Sequence, residues 1–176
     1  KKMKKKLIIF GCMIFISTIF YGFKKLSNPV KVMSIGVIVS DLDESYKFYT
    51  DIIGMEKEDD FQVSSELSTK YGINSGKEFN IINLRMKCDG YSLKYKLNKT
   101  VGNLPEVPFN NDNDQYGFER IGRNYFSIDV HDVESYKERL DENNIEYKYL
   151  VIDEWNDYKV ILVHDPDGVL LEIRGY

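Results

Sequence analysis

The chain repeats one pattern of apolar and polar positions: an apolar strand, an Asp, and then an amphipathic helix. In the first copy, β-branched residues 35–39 lead to Asp41; in the second, residues 125–130 lead to Asp132. The tetrapeptide Glu-Ser-Tyr-Lys recurs inside both helices. An Asp at this position caps a helix because its side-chain oxygen accepts a hydrogen bond from a free backbone N–H. The pattern predicts a duplicated strand–helix module rather than a chance repeat.

Each copy continues with alternating segments that predict three further strands. In the first copy, Gly54 ends the helix and an Asp89-Gly90 turn joins the last two strands. In the second, the helix runs from Val133 to about Asn143, and the Asp165-Pro166-Asp167-Gly168 turn closes the final hairpin. The predicted strands after the helices are residues 55–64, 79–86, 91–97, 145–152, 159–163 and 169–176. We interpret Asp165 and Asp167 as turn-forming residues, and both modules as β-α-β-β-β.

An apolar segment precedes these modules. Residues 7–23 carry no charge, follow five Lys and span about 25 Å as a helix, near the short end of what crosses a bilayer core of about 30 Å. We favour an uncleaved anchor, with a cleaved signal peptide (a secreted protein) or a lipid on Cys12 as alternatives. The Lys distribution predicts that the domain lies outside the cytoplasm.

These patterns divide the chain into five regions. The predicted boundaries are a membrane anchor or signal segment at 1–25, a tether at 26–31, the first module at 32–99, a linker at 100–122 and the second module at 123–176.

Charge narrows the classes of partner. The chain has 24 basic and 28 acidic residues, but seven of the Lys lie in residues 1–25, which leaves 17 against 28 in the remainder. This acidic part would repel a phosphate backbone, which argues against a nucleic-acid partner. The two cysteines are Cys12, in the apolar segment, and Cys88, so no intramolecular disulfide is predicted.

Two segments carry a resemblance to a known family. Asp41-Leu42-Asp43-Glu44-Ser45, with Phe48-Tyr49 and Ile53-Gly54 after it, and the run from Asp165 to Ile173 resemble the vicinal oxygen chelate superfamily, which contains glyoxalases, bleomycin-resistance proteins and extradiol dioxygenases. The resemblance covers residues 32–176. It implies an α+β fold in which two βαβββ modules form a cupped mixed β-sheet with helices outside and a ligand or metal within.

Strand parity selects the side chains that would face such a cup. Alternate residues of a strand point to opposite faces, so the apolar set packs on the helices and the other set faces inward. The predicted ligand-binding residues are Ser34, Lys94, Tyr125, Ser127, Asp129, Glu172 and Arg174. These side chains can also satisfy one another's hydrogen bonds and charges without a ligand, with Glu172 paired to Lys94 or Arg174.

The resemblance implies a metal site with four ligands, of which this chain retains one candidate, Glu172. Ser34, Tyr125 and Lys94 stand at or near the other three places, and an ammonium repels a cation. One carboxylate does not hold a divalent ion against water. His131 and His164 lie at strand ends and are interpreted as turn residues. We therefore expect no metal and no other cofactor.

Three hypotheses follow. The favoured one is a membrane-tethered extracytoplasmic domain that binds a small polar or aromatic molecule without metal or catalysis. The second is a metal-dependent lyase, isomerase or dioxygenase with a remodelled site and a divalent metal. The third is a structural or partner-binding ectodomain. The cup closes either within one chain or between two chains of a homodimer.

Overall fold

The computed structural model describes residues 33–99 and 124–176. The predicted anchor (1–25), tether (26–31) and linker (100–122) all lie outside these residues. Within the described ranges no helix is long and apolar enough to cross a membrane.

The first module begins with a strand and a capped helix, as predicted. Strand β1 (Ser34–Val39) leads to Asp41, whose Oδ1 accepts hydrogen bonds of 2.9 Å from the backbone N–H of both Asp43 and Glu44. Helix α1 (Leu42–Lys47) continues into a π-helical turn at Phe48–Ile52. Strands β2 (Glu56–Val63), β3 (Phe79–Cys88) and β4 (Tyr91–Lys99) complete the module.

One helix of the first module was not predicted. Helix α2 (Ser65–Tyr71) begins at Ser64, whose hydroxyl accepts from the N–H of Leu67 at 3.3 Å, and ends at Gly72 with a φ of 66°. Both ends carry ordinary helix signals, a Ser cap and a Gly stop. The apolar period between them is weak because most of this helix is exposed to solvent.

The second module repeats the same order of elements. Its elements are β5 (Phe126–Asp129), α3 (Val133–Glu142), β6 (Tyr147–Ile152), β7 (Tyr158–His164) and β8 (Leu170–Gly175). Asp132 caps α3 by accepting from the N–H of Ser135 at 3.3 Å. The sheets have matching orders, β1-β4-β3-β2 and β5-β8-β7-β6, each with one parallel pair. The predicted duplication is confirmed.

The arrangement of the two modules differs from the predicted single cupped sheet. Among the described residues the strands form two separate four-stranded sheets. The described residues from Ser34 onward form one compact unit, and its apolar core combines helix and strand side chains from both modules, including Tyr49, Leu84, Leu140 and Ile173. The two modules therefore share one apolar core, built on the side of each sheet that carries its helix.

A polar clamp completes this junction at the Asp-Pro-Asp-Gly turn. Asp165 is 4% exposed; its Oδ1 accepts from the N–H of Asp167 and of Val169, and its Oδ2 accepts from the Tyr49 hydroxyl at 2.7 Å. Asp167 Oδ1 accepts from the Ser40 N–H at 2.9 Å. These aspartates form the turn, as predicted, and they also bind the turn to the first module.

Candidate functional site

The candidate site residues lie on the side of each sheet opposite its helix, which we call the open face. In the second module, β5 and β8 run in parallel with Ser127 opposite Glu172 and Asp129 opposite Arg174. Because side chains alternate along a strand, all four point away from the buried Leu171 and Ile173. The four predicted residues of this pair of strands are thus brought together.

Arg174 is the centre of this group. Its Nε donates to Asp129 Oδ1 at 2.9 Å and its Nη2 to Asp129 Oδ2 at 3.3 Å, which is the forked pairing that a guanidinium makes with a carboxylate. Its Nη1 lies 3.4 Å from Glu172 Oε2, which also accepts from the Ser127 hydroxyl at 2.5 Å. One guanidinium therefore bridges two carboxylates, and we call these four residues the Arg174 cluster.

Asp129 and Arg174 hold each other in the ionised form. The hydrogen bonds from Arg174, more than those from Tyr158, lower the pKa of Asp129, and the same contact with Asp129 raises the pKa of Arg174. Tyr158 donates to Asp129 Oδ1 at 3.0 Å; its pKa is raised by partial burial first and by this carboxylate second. Tyr158 is therefore a neutral hydrogen-bond donor at physiological pH.

An aromatic pair borders the cluster. The rings of Tyr158 and Tyr176 meet edge to face, with centroids 5.1 Å apart, and Tyr176 is 67% exposed. Edge-to-face rings leave one flat face available to a third ring. The open face of the second module thus offers a guanidinium, two carboxylates and an exposed aromatic surface.

The open face of the first module carries a second charged group. Ser34 lies opposite Lys94 across β1 and β4, and Lys94 Nζ lies 2.8 Å from Glu58 Oε2. Arg85 pairs with the other oxygen of Glu58. Hydrogen bonds from Lys94, and then from Arg85, lower the pKa of Glu58. We call Glu58, Arg85 and Lys94 the Glu58 cluster.

This geometry corrects one predicted pairing. Glu172 pairs with Arg174, as one alternative held, but Lys94 pairs with Glu58 rather than with Glu172. The predicted set is therefore divided between two clusters, one on each sheet. The remaining member, Tyr125, lies directly before β5 and is 50% exposed.

Sequence reasoning missed Glu58 and Arg85 for different reasons. Arg85 lies opposite Lys94 across the β3–β4 hairpin, so the position of the Asp89-Gly90 turn already contained this pairing. Glu58 lies where the register of β2 against β3 shifts between Lys57 and Asp59. A bulge moves side chains to the other face, so simple alternation does not identify this residue.

The donor chemistry does not suit a divalent metal on the open faces. Within residues 33–99 and 124–176, no three His, Cys, Asp or Glu side chains converge as a metal-binding group. Glu172 already accepts hydrogen bonds from Ser127 and Arg174, and Lys94 brings a positive charge. His131 is 94% exposed beside Asp89, as expected for a solvated turn residue. His164 is half-buried at the end of β7, so the same expectation is wrong for His164.

A cavity of about 820 Å³ lies at the module junction, on the helix side of the sheets. Its walls come from the β3–β4 hairpin, β5 and the start of α3, with Tyr49 and Tyr95 among the lining residues. Of the predicted ligand-binding residues only Ser127 and Asp129 belong to its lining. The cavity thus shares Ser127 and Asp129 with the Arg174 cluster, whereas Glu172, Arg174 and the Glu58 cluster do not line it.

Comparison with known proteins gives one family and several similar structures. A family model described as Glyoxalase/Bleomycin resistance protein/Dioxygenase superfamily matches residues 31–173. A glyoxalase family protein from Bacillus cereus has a TM-score of 0.60 at 18% identity, covering 85% of this chain and 97% of that one. No curated protein sequence matches the chain.

Two further structures carry more specific descriptions. The trypanothione-dependent glyoxalase I of Leishmania major has a TM-score of 0.58 at 18% identity, over 83% of this chain and 86% of that one. The fosfomycin resistance protein FosX of Listeria monocytogenes, complexed with Mn(II) and sulfate, has a TM-score of 0.52 at 16% identity, over 82% and 91%. At such identities the likeness extends to the fold alone.

Proposed function

The chain belongs to the Glyoxalase/Bleomycin resistance protein/Dioxygenase superfamily, and on that premise we propose that it binds a small polar or aromatic molecule on its open faces without a metal. The observation that carries the proposal is the Arg174 cluster. The carboxylate at the position where family resemblance implies a metal ligand holds a guanidinium instead. A charge that occupies this place favours recognition of an organic molecule by hydrogen bonds and stacking over Lewis-acid chemistry.

The cluster suggests how such a molecule is held. Arg174 and Asp129 supply a fixed donor and a fixed acceptor, and the exposed ring of Tyr176 supplies a stacking surface next to them. Each carboxylate of the two clusters is paired with a cation, so a ligand with both a donor and an acceptor exchanges one paired contact for another. This avoids leaving a charge without a partner, which is the main cost of displacing an ion pair.

The proposal includes assembly and location. A second copy of the chain would close an open face, and we propose a homodimer with small molecules bound between open faces. The uncharged run at residues 7–23, with five Lys before it, supports a membrane-tethered domain outside the cytoplasm.

Metal analysis of the purified full-length chain tests the metal-free part. We expect substoichiometric Ni, Zn, Mn and Fe by elemental analysis, and no change in melting temperature when each ion is added. A ligand that binds the native state raises the melting temperature, so a metal-specific increase together with stoichiometric metal would overturn the proposal.

Ligand binding is tested by calorimetric titration with small aromatic acids, amines and amides. Arg174→Gln removes the guanidinium from the open face, and Lys148→Gln is the matched control because Lys148 is exposed on β6, the edge strand of the same sheet that lies farthest from β5. We expect the first change, and not the second, to weaken binding. No heat with any compound, or equal loss in both variants, contradicts the proposal.

One comparison favours a second candidate. The FosX structure is described with Mn(II), so a metal-dependent enzyme with a remodelled site is the alternative for this chain. That reading requires the Arg174 cluster to open so that Glu172 reaches an ion. Mn(II)-dependent activity abolished by Glu172→Gln would establish it.

A further inference from the structure

The cavity at the module junction shares Ser127 and Asp129 with the proposed open-face site, and the rest of its lining is not used by that site. We propose that it is a second binding site, selective for a flat aromatic molecule that carries a positive charge. Its volume of about 820 Å³ falls within the range of small-molecule pockets. Because its walls use the helix side of the sheets, a ligand here would not contact Glu172, Arg174 or the Glu58 cluster.

Aromatic side chains dominate the inner wall. The rings of Tyr49 and Tyr95 have centroids 4.7 Å apart, and Phe126 meets Tyr95 edge to face at 5.3 Å. Tyr136 and Met86 add further apolar surface. Tyr49 and Tyr95 are buried, whereas Phe126 and Tyr136 are half-buried and can accept another ring edge to face or stacked.

The polar atoms of these rings already have partners. The Tyr49 and Tyr95 hydroxyls lie 2.8 Å apart, and the Tyr49 hydroxyl donates to Asp165. The Tyr136 hydroxyl donates to the Ile53 carbonyl at 3.4 Å. The carbon surface that a ligand meets comes from Phe126, Tyr136 and Met86, which favours an unsubstituted ring over a sugar or a peptide backbone.

The charges at the rim favour a cation. Lys87 is held by Glu56 at 2.6 Å, and Asp129 is held by Arg174. Apart from these two pairs, the charged residues of the rim are Asp89, Asp132 and Arg139, so two carboxylates stand against one guanidinium in the charge balance. His131 lies 3.4 Å from Asp89.

The cavity already contains one cation–ring contact. The Arg139 guanidinium carbon lies 4.0 Å from the centroid of the Tyr136 ring. A ring face attracts a positive charge at this distance, and the acidic part of the chain attracts cations over a longer range. A cationic ring would take the place of the Arg139 guanidinium on the Tyr136 ring and would be attracted by the acidic part of the chain.

Three acridines with the same ring system test the proposal on the full-length chain. They are 9-aminoacridine, a cation at neutral pH, acridine, which is neutral, and acridine-9-carboxylate, an anion. We expect the cation to bind at least about ten-fold more tightly than the anion, with the neutral ring between them. Equal binding of all three, or no binding, overturns the proposal.

Location is tested without substitution through Cys88, which is half-buried and lines the cavity. Saturating 9-aminoacridine should slow alkylation of Cys88 by iodoacetamide about five-fold or more, as read from the mass of its peptide, because a bound ring blocks access. An unchanged rate with dye bound places the dye elsewhere and overturns the proposal.

Two variants separate this site from the open-face site. Met86→Trp fills the cavity and should weaken 9-aminoacridine binding about ten-fold, whereas Glu172→Gln should leave it unchanged. If Met86→Trp does not fold, the Cys88 measurement decides the location. A loss of dye binding in Glu172→Gln assigns the dye to the open face and overturns the second site, without affecting the first.

Discussion

Replacement of Tyr49 by Phe removes one hydroxyl from the centre of the module junction. That hydroxyl donates to Asp165 Oδ2 at 2.7 Å and lies 2.8 Å from the Tyr95 hydroxyl, and Tyr49 and Asp165 are 0% and 4% exposed. Because burial and the neighbouring carboxylate raise the pKa of Tyr49, its hydroxyl stays protonated and donates. In the variant, one oxygen of a buried carboxylate loses its donor.

The expected loss is about 3 kcal/mol of unfolding free energy, the upper part of the range for a hydrogen bond to a buried charged group. Urea unfolding of the full-length chain, followed by circular dichroism, measures it. Tyr71→Phe is the matched control because Tyr71 is 67% exposed, and it should change stability by less than about 0.5 kcal/mol. If both variants unfold at the same urea concentration, the clamp does not stabilise the junction.

The loss should also depend on pH in a defined direction. Burial raises the pKa of Asp165 above its ordinary value of 3.8, although hydrogen bonds from Tyr49 and from the backbone N–H of Val169 oppose this. The native state therefore holds this proton more tightly than the unfolded state. The contribution of Asp165 to stability is fully present below pH 3.8 and is lost as pH rises through the raised pKa.

Tyr49 stabilises the ionised form of Asp165. The loss of unfolding free energy caused by Tyr49→Phe should therefore be small at low pH and should grow as pH rises through the pKa of Asp165. Asp165→Asn cannot ionise, and in this background the cost of Tyr49→Phe should not vary with pH through Asp165. A Tyr49→Phe cost that is constant with pH would refute this account of the charge at the junction.

Three further outcomes are expected elsewhere. Arg174→Gln should raise the pKa of Asp129, followed by carbon-13 NMR of the carboxyl, and should lower stability by no more than about 1 kcal/mol because the pair is exposed; an unchanged titration would contradict the pairing. Gly175→Ala should lower stability in thermal unfolding by about 1–3 kcal/mol, because the added Cβ would lie 2.2 Å from the carbonyl oxygen of Val130. Gly36→Ala is the control and should be nearly neutral, because its Cβ would lie 3.4 Å from the nearest atom. Equal effects of the two changes would refute the contact. Asp132→Ala should cost about 1 kcal/mol in the same assay and Asp132→Asn much less, since Asn also caps a helix, and a large loss with Asn would show another role.

The repeated local pattern was sufficient to predict most of the fold. Asp41 and Asp132 cap their helices as expected, because capping depends on neighbouring residues only. The predicted strand after Gly54 and the hairpin at Asp89-Gly90 are also confirmed. Helix α2 was missed because its exposed surface weakens the apolar period that sequence reading depends on.

The candidate site was predictable where strand alternation is regular. Ser127, Asp129, Glu172 and Arg174 lie on one face, as parity required. Pairing between residues of different sheets was not predictable, because it depends on how the modules pack. For that reason the predicted alternative that paired Lys94 with Glu172 was wrong, and Lys94 pairs with Glu58 instead. The burial of Asp165 has the same origin, since Tyr49 lies far from it in the sequence.

The clamp at Asp165 and Asp167 has a consequence for dissecting this protein. Its hydrogen bonds join a turn near the carboxyl end to the first helix without a covalent link. Two polypeptides produced separately, one ending after β4 and the other beginning before β5, should therefore find each other and reconstitute the fold. Either fragment alone would leave a half-built core in contact with water and should be prone to precipitate.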